Sequence, residues 1–245
     1  MSYYRSTPPR GGWSGGESLG LPAVTPVNKS LMIACGAVWG GQLLLWLFAS
    51  VDISPILGLV PVRVIQGWVW QPVTYNFLHS PVMYSHILFN LLMMWMIGGD
   101  LERHWGGKKY LTYWLVCGIG AGVCVTLAGA FRGVSIPTIG ASGAIYGLIL
   151  AYGMIFAERR LLFMLVFPIK AKTMAWILFA IAFISNLTPQ SDRISHIAHM
   201  GGMVVGWLYL QRAWRVGEFW HGVIGRFRRR KFKVVPPNDD TRWVH

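Results

Sequence analysis

The stretch Leu31–Ala49, LMIACGAVWGGQLLLWLFA, decides the fold. Its 19 residues carry no charge, and at 1.5 Å per residue they make a helix of roughly 28 Å, enough to cross the hydrocarbon of a bilayer. It has no polar face to turn toward water. A cleaved signal peptide does not fit, because the run is long enough to span and no convincing cleavage site follows it. Similar runs recur at 84–99, 110–130, 142–157, 173–187 and 195–211. The reading is an all-α polytopic membrane protein, a bundle of six transmembrane helices. The fourth and fifth runs are short, which implies helices that begin below the membrane surface. The loops before them must then have their backbone satisfied by protein or water.

Composition agrees. Hydrophobic residues make up 54 % of the 245-residue chain and charged ones 13 %, about half the usual share of charge. A soluble domain is excluded. Residues 1–29, rich in Gly, Ser and Pro, read as a disordered leader. Residues 30–211 form the membrane domain, and 212–245 a basic tail. The loop Ser50–Pro81 holds Pro55, Pro61 and Pro72 with Trp68, Trp70, Tyr75 and Phe77, and such aromatics favour the water–lipid boundary. Leu161–Phe167 is apolar too, but Pro168, Lys170 and Lys172 cut it off as a loop at the interface. Cys35, Cys117 and Cys124 lie inside apolar runs without metal-ligand spacing, and read as small buried residues.

The net charge of +13 does not point to nucleic acid, because Lys and Arg fall between and after the apolar runs. Placing the N-terminus inside puts 19 of the 22 Lys and Arg on the inner side. Only Arg63, Arg132 and Arg193 are then outside. Both termini are therefore expected in the cytoplasm.

Polar residues within the spans are costly and carry function. His86 and Asn90 lie in the first two turns of the second span, Ser142 at the start of the fourth, and His196 and His199 near the start of the sixth. All three spans enter from outside, so these residues share one depth in the outer half of the bilayer. Each piece has a bland reading: Gly140, Gly143 and Gly147 suit close helix packing, and His86 and Asn90 suit bonds to a neighbouring helix. The conjunction suits acyl transfer instead. A serine hydroxyl needs a base to take its proton, and His199 is the candidate. His86, Asn90 and the Ser142 N–H are suited to an oxyanion. His196 lies one turn nearer the surface and reads as a solvated residue. No Asp or Glu sits at that depth to orient the histidine, so the expected unit is a dyad. No Cys, Asp or Glu completes a metal site there, so neither metal nor cofactor is expected.

These residues resemble the rhomboid family of intramembrane serine proteases, over about 68–211. His86-Ile-Leu-Phe-Asn90 is similar to the family's His-x-x-x-Asn, and Gly140-Ala-Ser142-Gly143 to its Gly-x-Ser-Gly. Tyr146 stands where the family has a tyrosine packed on the histidine. Ala198-His199-x-x-Gly202-x-x-x-Gly206 is similar to the family's sixth-helix pattern, whose glycines pack on the fourth helix, and Gly98-Gly99-x-x-Glu102 to the inner end of its second. Where many members carry Trp-Arg, this chain has Trp70-Gln71, which implies weaker anchoring of the first loop. The resemblance implies cleavage of single-span membrane proteins near their outer end, at a small residue where the helix unwinds, in a bacterial plasma (inner) membrane. A catalytically inactive relative that binds transmembrane helices, or a small transporter, stays open as an alternative.

Overall fold

The computed structural model describes residues 22, 24–130, 134–163, 166–187 and 196–211. Helix α1 spans Pro26–Ala49 and so begins inside the segment expected to be leader. The reason lies 75 residues away. Glu102 accepts from Val27 N at 3.1 Å, from Asn28 N at 2.7 Å and from the Thr25 hydroxyl at 2.5 Å. A carboxylate on the free N–H groups of a helix start satisfies them and suits the helix dipole. Pro26, in the first turn, gives up no hydrogen bond there. The leader boundary expected at 29 therefore moves to Thr25. Residues 1–21 and 23 of the leader and the whole basic tail lie outside the described residues.

The expected loop Ser50–Pro81 contains three short helices, α2 (Ser54–Leu57), α3 (Pro61–Ile65) and α4 (Gln71–Thr74), with a 3-10 turn over Tyr75–Phe77. Pro55, Pro61 and Pro72 each stand in the first turn of one of these helices, where a missing N–H costs nothing. Gln71, which stands where many family members have Arg, ties this loop together. Gln71 is fully buried; its Oε1 accepts from Val60 N at 2.9 Å, and its Nε2 donates to the Ile56 and Pro55 carbonyls at 3.2 and 3.4 Å. The amide thus holds α4 to α2 and to the start of α3.

The second apolar run is one helical stretch that passes residue 99: α5 (Tyr84–Met93), a π turn (Met94–Gly98) and α6 (Gly99–Trp105). The widening falls where the Asn28 amide, lying against Gly98, donates to the Met94 carbonyl at 2.9 Å. A side chain inserted into the helical ladder is a recognised cause of such a bulge. Next come α7 (Gly107–Ala130), α8 (Ser142–Ile155), β1 (Arg160–Phe163), β2 (Phe167–Lys170), α9 (Ala171–Leu187) and α10 (196–211). The loop expected at 161–167 is thus an antiparallel hairpin, with Arg160 opposite Lys170 and Leu162 opposite Pro168. Two-stranded pairing leaves every strand an edge, so Pro168 lacks an N–H at little cost.

Burial is inverted relative to a water-soluble domain. Asn28, Gln71 and His79 have no exposed surface, whereas Phe48 on α1 is 84 % exposed and Leu88, Leu127 and Ile184 project from helix flanks. Such apolar flanks need lipid or a partner to cover them. Among the described residues, α1 and α7 alone combine the length and apolarity of a full span, and α8 and α9 are shorter apolar helices. α8 is sandwiched between α7 and α9, with α10 across its first turns. A Cβ on Gly202 would overlap the Gly143 carbonyl, so α10 and α8 approach backbone to backbone. Gly206, expected on the same contact, faces Tyr113 Oη and Cys117 Sγ of α7 instead. α10 therefore lies between α7 and α8, with Gly201 against Ala121 and Cys124 of α7 and Gly202 against Gly143 of α8. Cys35 and Cys117 are buried and Cys124 is partly exposed, which corrects the expectation of full burial at Cys124.

Candidate active site

Ser142 is the first residue of α8, where a backbone N–H has no acceptor within the helix. The turn before it is made by Gly140 at φ +121°, a conformation that L side chains rarely adopt. Gly140 has a second reason to be glycine. A Cβ there would stand 2.6 Å from His86 Nε2 and 3.8 Å from Asn90 Nδ2. The two side chains four residues apart on α5 therefore converge on the backbone two residues before the serine.

His199 comes from α10. Its Nε2 lies 2.9 Å from Ser142 Oγ, a hydrogen bond between residues 57 apart in sequence. The Tyr146 ring, one turn into α8, stacks on the imidazole at 4.1 Å between centroids with the planes 1° from parallel. That contact fixes the ring plane without a carboxylate. His199 Nδ1 is buried and finds no partner among the described residues. His196 packs edge-on at 6.0 Å from His199. Ser142, His199, His86, Asn90, Gly140, Gly143, Tyr146 and Gly202 thus meet in one place. Gly143 takes part through packing, because a Cβ there would press on Ala121 of α7.

His86 has a defined tautomer. Its Nδ1 accepts from Ser80 N at 3.5 Å, which leaves the proton on Nε2, the atom that faces Gly140. Asn90 Nδ2 is buried and unpartnered among the described residues. His86 Nε2 and Asn90 Nδ2 thus both lie beside the Gly140 backbone next to Ser142, and of the two Asn90 Nδ2 is the buried donor without a partner among the described residues, at a cost of roughly 1–3 kcal/mol.

Several residues that hold this site escaped the sequence reading. The 79–80 turn that supports His86 is pinned to α1, through His79 N on Gln42 Oε1 at 2.9 Å and Trp39 Nε1 on the Ser80 carbonyl at 3.1 Å. The His79 ring packs 5.0 Å from the His86 ring. The strand into Ser142 is held by Gly140 N on the Tyr75 carbonyl at 2.9 Å and by a bridge between Leu59 and Thr138. A lone amide in an apolar run was a legible signal for Gln42. Tyr75 and Leu59 gave none, because they act through backbone atoms.

Beneath Ser142 lies a cavity of about 210 Å³. Asn90, Met93 and Met96 line it from the α5–α6 stretch, Tyr146 from α8, and Met174 and Leu178 from α9. It is an apolar space that begins at the serine and separates the second and fifth long helical stretches.

Comparison with known proteins places these features in a family. A model of the Rhomboid domain matches residues 66–215, more than half of the chain. The chain is 29 % identical over 192 residues to the Rhomboid protease GlpG of Yersinia enterocolitica, covering 75 % of this chain and 61 % of that protein. It is 28 % identical, with the same coverage, to the proteins of that name in Yersinia pseudotuberculosis and Yersinia pestis. The chain thus spans about three fifths of the length of these relatives. The matched stretch runs from α4 through α10, and the protein is a member of the rhomboid family of integral membrane proteins.

Proposed function

We propose that this protein is an intramembrane serine endopeptidase with Ser142 as nucleophile and His199 as general base. The observation that carries the reading is the 2.9 Å hydrogen bond between His199 Nε2 and Ser142 Oγ, made across two helices and stacked upon by Tyr146. Ser142 Oγ attacks the scissile carbonyl carbon while its proton passes to His199 Nε2. The carbonyl oxygen becomes an oxyanion and receives bonds from His86 Nε2–H, Asn90 Nδ2–H and the Ser142 N–H. When the tetrahedral species collapses, the C–N bond breaks and the imidazolium gives its proton to the departing amine. Water, deprotonated by the same imidazole, then releases the acyl group and restores the serine. A donor already unpaired beside the serine, as Asn90 Nδ2 is among the described residues, needs no partner exchange as the charge develops.

The substrates are single-span transmembrane proteins. The apolar cavity beneath Ser142 suits their apolar side chains. Cleavage falls near the outer end of the substrate span, with both termini of the protease cytoplasmic and the bacterial plasma membrane as its site. A non-catalytic binder of transmembrane helices would have no use for a serine and histidine held in bonding contact. The test is cleavage of a model single-span substrate in liposomes. Wild type is expected to cut it, and folded Ser142→Ala to leave it intact; substantial residual cleavage by that variant would overturn the assignment.

A further inference from the structure

A second cavity, of about 330 Å³, lies at the opposite end of the bundle from Ser142. Its walls include Leu150 of α8, Trp176 and Phe179 of α9, and Val204 and Trp207 of α10. These positions lie toward the end of α8, the start of α9 and the end of α10, so the groove sits at the level of the β1–β2 hairpin. It opens sideways to the bilayer: Trp176 is 72 % exposed, and Val204 and Trp207 are each 46 % exposed. Among the described residues, the one charged side chain on its rim is Lys172.

The surroundings of Lys172 carry surplus positive charge. Glu158 serves both Lys170 and Lys172, and Asp100 serves both Arg103 and Arg159. Arg160 is exposed beside them. Among the described residues, five cations thus share two carboxylates on this side of the bundle, and Lys172 of this cluster stands at the mouth of the groove. The Lys172–Glu158 pair is half-exposed on the lysine side and more so on the glutamate side, so exchanging that carboxylate for another anion costs little.

Charge selects among apolar ligands. Lys172 on the rim and the basic side chains near it favour an anionic headgroup, and the apolar walls suit a flexible hydrocarbon chain. We propose that the groove between α9 and α10 binds one anionic phospholipid, an acyl chain lying along Phe179, Val204 and Trp207 and the phosphate at Lys172. Basic side chains at the inner surface of a membrane favour anionic headgroups in general; here Lys172 stands over an apolar slot. The site is independent of the Ser142 chemistry.

Native mass spectrometry of the full-length protein, offered equal amounts of dioleoyl phosphatidylglycerol and dioleoyl phosphatidylcholine, tests this. Wild type should retain one phosphatidylglycerol, favoured about fivefold over phosphatidylcholine. Lys172→Gln should bring the two lipids to near parity, and Val204→Trp, which fills the slot from an exposed position, should lose the retained lipid. The melting midpoint of each variant in detergent checks its fold, and Val204→Phe is a milder filler. Glycerol 1-phosphate should not displace the lipid. Equal retention of both lipids by wild type, retention unchanged in both Val204 variants, or displacement by glycerol phosphate alone would each overturn the proposal.

Discussion

The two ends of this bundle treat their buried polar groups in opposite ways. At the Glu102 end they are matched. One carboxylate takes three donors at the start of α1, while Asn28 donates to the Met94 carbonyl and accepts from Tyr110 Oη at 2.8 Å. Asp100 accepts from Tyr152 Oη at 2.8 Å and from Arg159 at 2.6 Å, tying α6 to α8. At the Ser142 end, Gln42 Nε2, His79 Nε2, Asn90 Nδ2 and His199 Nδ1 are buried without partners among the described residues. Trp114 Nε1, on the Glu102 side of α7, and the fully partnered Gln71, in the loop on the Ser142 side, are exceptions to this division. A buried polar group with its partners in place holds a fold together; one left waiting is a cost kept for another purpose. The sharpest contrast is between Glu102, which closes a helix, and Asn90, which closes nothing in the free protein.

That contrast separates loss of chemistry from loss of stability. The largest effect is expected at His199. His199→Ala should lower cleavage at least about a thousandfold, because the hydroxyl is hardly activated without its base. His196→Ala should keep at least about a tenth of the activity, a barrier change under ~1.4 kcal/mol. Both are measured on one substrate, and a dead His196→Ala beside an active His199→Ala would show the base to be misassigned. Asn90→Ala comes next, with kcat reduced by roughly ten- to several-hundredfold and little change in melting, since only one oxyanion donor goes and others remain.

Glu102→Ala should do the reverse. It strands the Val27 and Asn28 N–H groups in a buried place and should cost on the order of 3 kcal/mol or more, read from the unfolding midpoint in denaturing detergent. Molecules still folded should label and cleave within a fewfold of wild type. If Asn90→Ala proved the more destabilising of the two, the division between the ends would fail.

The same division explains what the sequence could reveal. Ser142, His199, His86 and Asn90 were legible because polar residues are conspicuous in apolar runs, and three runs carry them at one depth. The helical stretches were legible for the complementary reason, that long uncharged runs leave few other structures open. What stayed hidden depends on contacts between distant segments. Glu102 reaches α1 from 75 residues away, so nothing near Pro26 announces that the helix starts there. Pro55, Pro61 and Pro72 punctuate a loop or open a helix equally well, and Gln71 decides between them by bonding carbonyls from a separate turn. The hairpin escaped because Leu161–Phe167 is uniformly apolar and lacks the alternation that marks a strand. Gly206 was assigned to α8 by the resemblance to the family's sixth-helix pattern, which does not say which of two neighbours each glycine of α10 meets.

The central claim is that Ser142 is a nucleophile activated by His199. The most direct measurement is labelling of the purified protein by a serine-directed fluorophosphonate, with the modified residue located by mass spectrometry. Wild type should gain one adduct, on Ser142; Ser142→Ala should gain none, and His199→Ala should label at least about a hundredfold more slowly while still folded. An adduct on another residue, or equal labelling of wild type and His199→Ala, would contradict the account.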